Sequence, residues 1–176
     1  MDFTATDIAI MAKTPLFAGL DEETVRSAVC DVPVRAYRAG ECLFREGTEL
    51  CGLWILLEGR ARVSKNASGA QVLMSILVPG ATMGASCLFV DGARTVTHVE
   101  AVTACRTAAF PDEKVRQLMR DNFQIAQNYM RYLTGRIRFL TGRIESIGSP
   151  GATGKLWNYL VSSAHEGAVD LSIGYT

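Results

Sequence analysis

Leu53-Trp54-Ile55-Leu56-Leu57-Glu58-Gly59-Arg60-Ala61-Arg62-Val63 sets two short β-prone runs on either side of a glycine. Bulky aliphatic and aromatic residues favour extended backbone, and glycine ends such a run because it turns at no steric cost. The same arrangement repeats in both directions. Val34 and Tyr37, Cys42-Leu43-Phe44, Val72-Leu73-Met74 and the stretch from Val96 to Ala109 are further β-prone runs, punctuated by Gly40, Gly47, Gly52, Gly69, Gly80, Gly84 and Gly92. Many short strands with glycine turns and no helices between them predict a small antiparallel sandwich or barrel.

The flanks read differently. Asp2 to Val32 has apolar residues at helical spacing, with Pro15 between two short helices and Asp21-Glu22-Glu23 placing negative charge at a helix start. Beyond Pro111, Asp112-Glu113 opens a second helical stretch. It carries a narrow apolar seam at spacings alternating three and four: Phe123, Ala126, Met130, Leu133, Ile137, Leu140, Ile144 and Ile147. These are the a and d positions of a coiled coil, and a short internal repeat, Thr134-Gly135-Arg136-Ile137 then Thr141-Gly142-Arg143-Ile144, keeps the same beat. No other such helix occurs in the chain, so the expected partner is a second copy in a two-fold homodimer. Glycine weakens a solvent-facing helix by ~1 kcal/mol relative to alanine, so Gly135 and Gly142 are read as marking close approach or tuned flexibility. Gly148-Ser149-Pro150-Gly151 then reads as a hinge, followed by a helix from Lys155 to about Ala164 and an alternating segment from Ala168 to Ile173.

Composition narrows the function classes. The 176 residues are 48% hydrophobic, enough for a real core, and the formal net charge is zero, so no global electrostatic footprint for nucleic acid exists. Arg131, Arg136, Arg138 and Arg143 make the long helix locally basic, which reads as a solvated face. No stretch reaches the roughly 18 to 20 apolar residues of a membrane span, and the N-terminus lacks a signal peptide's pattern. A cytoplasmic protein without membrane partners is expected. The five cysteines, Cys30, Cys42, Cys51, Cys87 and Cys105, are dispersed and include no C-x-x-C, which argues against a disulfide framework or zinc ribbon. His98 and His165 are too few for a histidine-rich metal site, and no metal ligands are assigned.

Four local motifs occur in order: Leu16-Phe17-Ala18-Gly19-Leu20, Gly40-Glu41-Cys42-Leu43-Phe44-Arg45-Glu46-Gly47, Leu53 to Val63, and Pro79-Gly80-Ala81-Thr82-Met83-Gly84. With the long helix behind them, they resemble the Crp/Fnr family of bacterial transcription regulators across nearly the whole chain. The resemblance implies an α+β fold: an antiparallel, jelly-roll-like β-roll flanked by N-terminal helices and a long C-terminal dimerisation helix. It implies a sensor with its N-terminal helices over 1–111, a dimerisation helix over 112–148, and over 149–176 a hinge and the beginning of a winged helix-turn-helix domain. The recognition helix that meets DNA is then expected beyond Thr176. A stand-alone cyclic-nucleotide-type binding module without DNA binding is the alternative.

In relatives that bind cyclic AMP, the loop after the Pro-Gly turn is a phosphate cassette. An Arg-Ser or Arg-Thr pair neutralises the phosphate, and a Glu directly after the last Gly accepts a ribose hydroxyl. Guanidinium suits that role because it bonds a phosphate through two parallel donors. Here Ala85 follows Gly84, and Ser86 stands at the wrong offset. Arg94-Thr95 matches the pair with a one-residue gap; without a gap, Thr95-Val96 fill those positions. Loss of the charged acceptor costs ~1.5 to 3 kcal/mol, which disfavours cyclic AMP. The resemblance gives Gly84, Ala85, Ser86, Arg94, Thr95 and Thr141 as candidate contacts to a small effector of unknown identity. Arg94 reads equally well as an exposed loop arginine, and Thr141 as a satisfied surface hydroxyl.

Other chemistries find less support. No cysteine precedes Cys30, which disfavours an iron-sulfur sensor, and haem would need His98, Met83 or a cysteine. A redox switch at Cys87 or Cys105 would require an exposed thiolate of low pKa. Gly151-Ala152-Thr153-Gly154-Lys155-Leu156 imitates part of a phosphate-binding loop, but its first glycine is misplaced and Leu156 replaces the metal-binding hydroxyl. Gly84-Ala85-Ser86-Cys87 imitates a nucleophile turn without its final glycine. No catalytic residue is assigned.

Overall fold

The computed structural model describes residues 3–50, 52–67, 70–148, 164–165 and 168–169. It divides into two units, Met1–Tyr129 and Met130–Thr176, each considered by itself below.

The first unit opens with α1 (Ala5–Ala12), a 3-10 turn (Pro15–Phe17) and α2 (Glu22–Val29). Thr4 and Asp7 form a reciprocal capping box at the start of α1, and Asp21 accepts from the Thr24 amide at 2.8 Å to cap α2. Then follow β1 (Val34–Tyr37), β2 (Cys42–Phe44), β3 (Gly52–Glu58), β4 (Ala61–Ala67), β5 (Ala70–Leu77), β6 (Thr82–Met83), β7 (His98–Ala101) and β8 (Cys105–Pro111). They make two antiparallel four-stranded sheets, ordered β1-β8-β3-β6 and β2-β7-β4-β5. This is the expected α+β roll. The run expected from Val96 to Ala109 is interrupted at 102–104, where the chain turns from one sheet to the other.

The central constraint lies at β3, whose residues Gly52 to Leu57 are all buried. Side chains alternate across a strand, so Trp54 and Leu56 face the roll interior with Phe44, Ala61, Met83, Val99, Ala101, Cys105 and Ala109. Leu53, Ile55 and Leu57 lie on the other side, where α1 and α3 pack, and Phe17 meets Phe110 there at a ring separation of 6.0 Å. The turn out of β3 admits only glycine: Gly59 has φ of 86°, and a Cβ there would stand 2.1 Å from the Ala104 carbonyl oxygen.

The stretch expected as one dimerisation helix over 112–148 is two helices, α3 (Asp112–Asp121) and α4 (Phe123–Gly148). Asn122 between them is extended, with φ −140° and ψ 103°. Its side-chain oxygen accepts from the Gln124 amide at 3.0 Å, a local bond that competes with continued helix. α4 turns Ile125, Asn128 and Tyr129 into the first unit, where Asn128 donates to the carbonyls of Leu16 (3.1 Å) and Ala18 (2.8 Å).

In the second unit, Thr141 donates to the Ile137 carbonyl at 3.0 Å, and a methyl at Gly135 would meet no described atom within 4 Å. The short strands β9 (Ala164–His165) and β10 (Ala168–Val169) pair antiparallel. The side chains of Ile144 and Ile147, the hinge at 149–151 and the helix expected from Lys155 lie outside the described residues. Among those described, no helix is long and apolar enough to cross a membrane.

Asp7 ties the N-terminal helix to the roll, taking bonds at 3.0 and 3.2 Å from the Arg106 guanidinium. Burial alone would raise its carboxyl pKa; the Thr4 amide, Arg106 and the Thr4 hydroxyl outweigh it and hold the value below the ordinary 3.8. The resulting stability is present above the unfolded pKa of about 3.9 and fades as pH falls through the lower folded value. Asp7→Asn is expected to lower unfolding free energy by ~1 to 3 kcal/mol at neutral pH. In urea titrations the gap from the unaltered protein should narrow toward pH 3.

Candidate effector site

The segment after β6 begins with a forced turn. Gly84 has φ of 81°, and a Cβ would lie 2.8 Å from the Gly52 carbonyl oxygen and 3.0 Å from the Trp54 ring. A 3-10 turn, Ala85–Cys87, follows, and Phe89 then takes a left-handed φ of 65°. Such a conformation strains a bulky residue, so its surroundings must hold it. The Phe89 amide donates to Asp112 at 3.3 Å, its ring stacks edge-on against Tyr129 at 5.9 Å, and the Arg116 guanidinium lies 4.7 Å over it. Tyr129 also donates its hydroxyl to the Ala85 carbonyl at 2.9 Å. The turn is thereby latched to the first turns of α4.

The other end of the segment is tied to the loop between β2 and β3. Thr95 is buried, and its hydroxyl donates to the Arg45 carbonyl while lying 3.3 Å from the Thr48 carbonyl oxygen. Its amide donates to Thr48 and its carbonyl accepts from Gly47, each at 2.8 Å. Arg94 is exposed and donates to the Gly47 carbonyl at 2.9 Å. Arg94 and Thr95 are thus brought together against residues 45–48, whereas Gly84, Ala85 and Ser86 share the Tyr129-latched turn. Ser86 is exposed, and its hydroxyl lies 3.9 Å from Cys87 Sγ. Thr141 belongs to the second unit.

Between these ends the roll interior is apolar. Phe44 meets Trp54 edge-on at 4.9 Å, with Met83 and Val99 in the same cluster. The Trp54 indole N–H is buried there with no hydrogen-bond partner among the described residues. Spacing alone missed Trp54, Phe44, Phe89 and Tyr129 as site residues. Alternation along β3 would have placed Trp54 inside with Leu56; Tyr129 stands outside the apolar seam and carries no such signal.

Neither sensor alternative involving Cys87 or Cys105 finds an exposed thiol. Both are buried. Burial pushes the Cys105 thiol up, against hydrogen bonds at Arg60 and Thr103 that pull it down. Met83 lies in the apolar cluster, and among the described residues no three His, Cys, Asp or Glu side chains are grouped to hold a metal.

The sequence profile of the cyclic nucleotide-binding domain matches residues 34–122, from β1 to the break before α4. The chain belongs to that family. This cyclic nucleotide-binding domain is homologous to Crp-like transcription regulators. It is 23% identical over 130 residues to a CRP-like cAMP-activated global transcriptional regulator of Mycobacterium tuberculosis, covering 73% of this chain. It is 24% identical over 152 residues to the cAMP-activated global transcriptional regulator CRP of Haemophilus influenzae, covering 83% of this chain and 68% of that one. Among solved structures it is similar to the Catabolite Activator Protein of Thermus thermophilus, with a TM-score of 0.71, 25% identity, and coverage of 76% of this chain and 63% of that one. The chain spans 58% of the length of the mycobacterial relative.

The Tyr129 latch is testable. Tyr129→Phe keeps the ring and removes the bond to Ala85, and is expected to cost ~0.5 to 1.5 kcal/mol of stability. Amide hydrogen exchange should quicken over Ala85–Phe89 and stay unchanged in β3. Equal protection of that turn in both proteins would mean that the hydroxyl does not hold it.

Proposed function

We propose that the chain is the sensor and dimerisation portion of a Crp/Fnr-type transcription regulator, in which a small effector in the β-roll biases the long helix and, through it, DNA-binding domains. In this reading residues 1–111 form the sensor, 112–148 carry dimerisation, and 149–176 lead into a DNA-binding domain that continues beyond Thr176. Catalysis forms no part of this function. The observation that carries the reading is the homology to Crp-like regulators, which takes in the roll and the start of α4.

The exposed seam of α4 supports the dimer. Phe123, Met130, Ile137 and Leu140 are each more than half exposed in the single chain, while Ile125 and Tyr129, which are not seam positions, are buried. Covering such side chains stabilises by roughly 1.5 to 3 kcal/mol each, which a second copy of the same helix provides. Ile137→Glu is expected to weaken association at least ~100-fold, corresponding to about 3 kcal/mol for a carboxylate forced into the seam. Sedimentation equilibrium checks it: a protein that stays monomeric without the substitution, at concentrations up to hundreds of micromolar, would remove the dimer from the proposal.

The effector is read as a small molecule that presents a hydrogen-bond acceptor to Trp54, since an unpaired buried N–H costs ~1 to 3 kcal/mol that such a ligand would recover. Cyclic AMP fits poorly. The Ala85 side chain offers no acceptor, and the Arg94 and Thr95 side chains bond the carbonyls of residues 45–48. Calorimetric titration should find cyclic AMP weak or unbound, and Ala85→Glu is expected to tighten it ~10- to 100-fold. Tight binding to the unaltered protein would overturn this view of the effector and leave the regulator reading in place.

A further inference from the structure

A thiol site lies on the outer face of the second sheet, away from the roll interior. β7 runs between β2 and β4, pairing Cys42 with Glu100 on one side and Arg62 with Glu100 on the other. Val99 and Ala101 point into the core, so alternation leaves His98 and Glu100 on the outside. There Cys42 Sγ stands 3.8 Å from His98 Nδ1, and His98 Nε2 stands 3.7 Å from a Glu100 oxygen. The other Glu100 oxygen accepts from Arg62 at 2.8 Å. His98 and Glu100 side chains keep 21% and 23% of their exposure and Cys42 is half-buried, so the group lies at the surface of the sheet.

Thiol, imidazole, carboxylate and guanidinium thus lie in a row, with Arg62 holding the carboxylate by a hydrogen bond and the carboxylate 3.7 Å from the imidazole, wider than a hydrogen bond. A nucleophile, its base and an orienting carboxylate in this order are what activate a weak nucleophile at neutral pH. We propose that Cys42 is a covalent modification site for small electrophiles, hydroperoxides in particular, with His98 as its base and Glu100 as the positioning residue. In the reaction with hydrogen peroxide, the Cys42 proton passes to His98 Nδ1 and the sulfur attacks one peroxide oxygen. The S–O bond forms as the O–O bond breaks; the departing hydroxide takes the proton from the imidazolium and leaves as water. Sulfur is oxidised by two electrons to a sulfenic acid, and the peroxide is reduced.

The base is needed because burial pushes the Cys42 thiol up and the Glu100 charge adds to it, against the Arg45 charge and hydrogen bond that pull it down. The sulfur therefore keeps its proton at neutral pH until a base removes it. Charged groups facing the pair are Arg45 beyond β2, Glu100 on β7 and Arg62 on β4. The chain supplies its own comparisons: Cys30 is exposed, and Cys87 and Cys105 are buried.

The test is site-resolved mass spectrometry of the full chain during timed exposure to iodoacetamide and, separately, to hydrogen peroxide with dimedone trapping. Cys42 is expected to react faster than Cys30 at pH 7. His98→Gln is expected to slow Cys42 by ~100-fold or more and leave Cys30 unchanged; Glu100→Gln should slow it less. Continued protection of Cys87 and Cys105 shows that a variant is folded, and the comparison of Cys42 with Cys30 in the unaltered protein stands whether or not it folds. A Cys42 rate below that of Cys30, or a folded His98→Gln variant in which Cys42 reacts as fast as in the unaltered protein, would overturn the proposal.

Discussion

Burial of β3 on both faces is the constraint on which the rest depends. One face closes the roll through Trp54 and Leu56; the other anchors the helices through Leu53, Ile55 and Leu57. A polar residue anywhere from Gly52 to Leu57 would be taken out of water on one side or the other, at a cost of roughly 1 to 3 kcal/mol unless it found a partner. Both ends of the strand are held by glycine where the backbone passes another chain segment too closely for a Cβ. Gly52 lies against Phe110, and Gly59 against Ala104.

The candidate site inherits its shape from that strand. Gly84 turns where it does because the Gly52 carbonyl and the Trp54 ring occupy the space a side chain would need. From there the segment is satisfied at both ends by the protein itself, by Tyr129 at Ala85 and by the 45–48 loop at Thr95. On β3 the Trp54 indole N–H is buried with no partner among the described residues, as are the hydroxyls of Ser64, Thr82 and Thr107. A physical link to α4 is built in, since Tyr129 sits on that helix and bonds the turn directly.

Much of the roll was legible because its signals are local. A β-prone run, a glycine and a second run specify a strand, a turn and a strand within a few residues, and Gly84 is recognisable from the Pro79-Gly80 turn before it. The seam was legible for the same reason, since a three-four spacing needs only helical geometry to become one stripe. The break at Asn122 was not. An asparagine between two helical patterns breaks them only if its side chain turns back to the backbone, as it does at Gln124. The Asp7–Arg106 pair was also hidden, because it joins a helix to a strand at the far end of the roll.

The sequence by itself determined the element types, the glycine turns, the helical seam, the family resemblance and the loss of an acceptor at Ala85. These follow from residue chemistry and short spacings, where steric preference and periodicity act within a turn or two of chain. Only the tertiary structure decided which face of β3 meets the helices, where Arg94 and Thr95 spend their hydrogen bonds, and that Tyr129 latches the turn after Gly84. It also decided that Cys42, Arg62, His98 and Glu100 stand side by side. Those four are scattered along the chain, and they become neighbours because the sheet runs β2-β7-β4, an order fixed by long-range backbone pairing and core packing that local spacing does not encode.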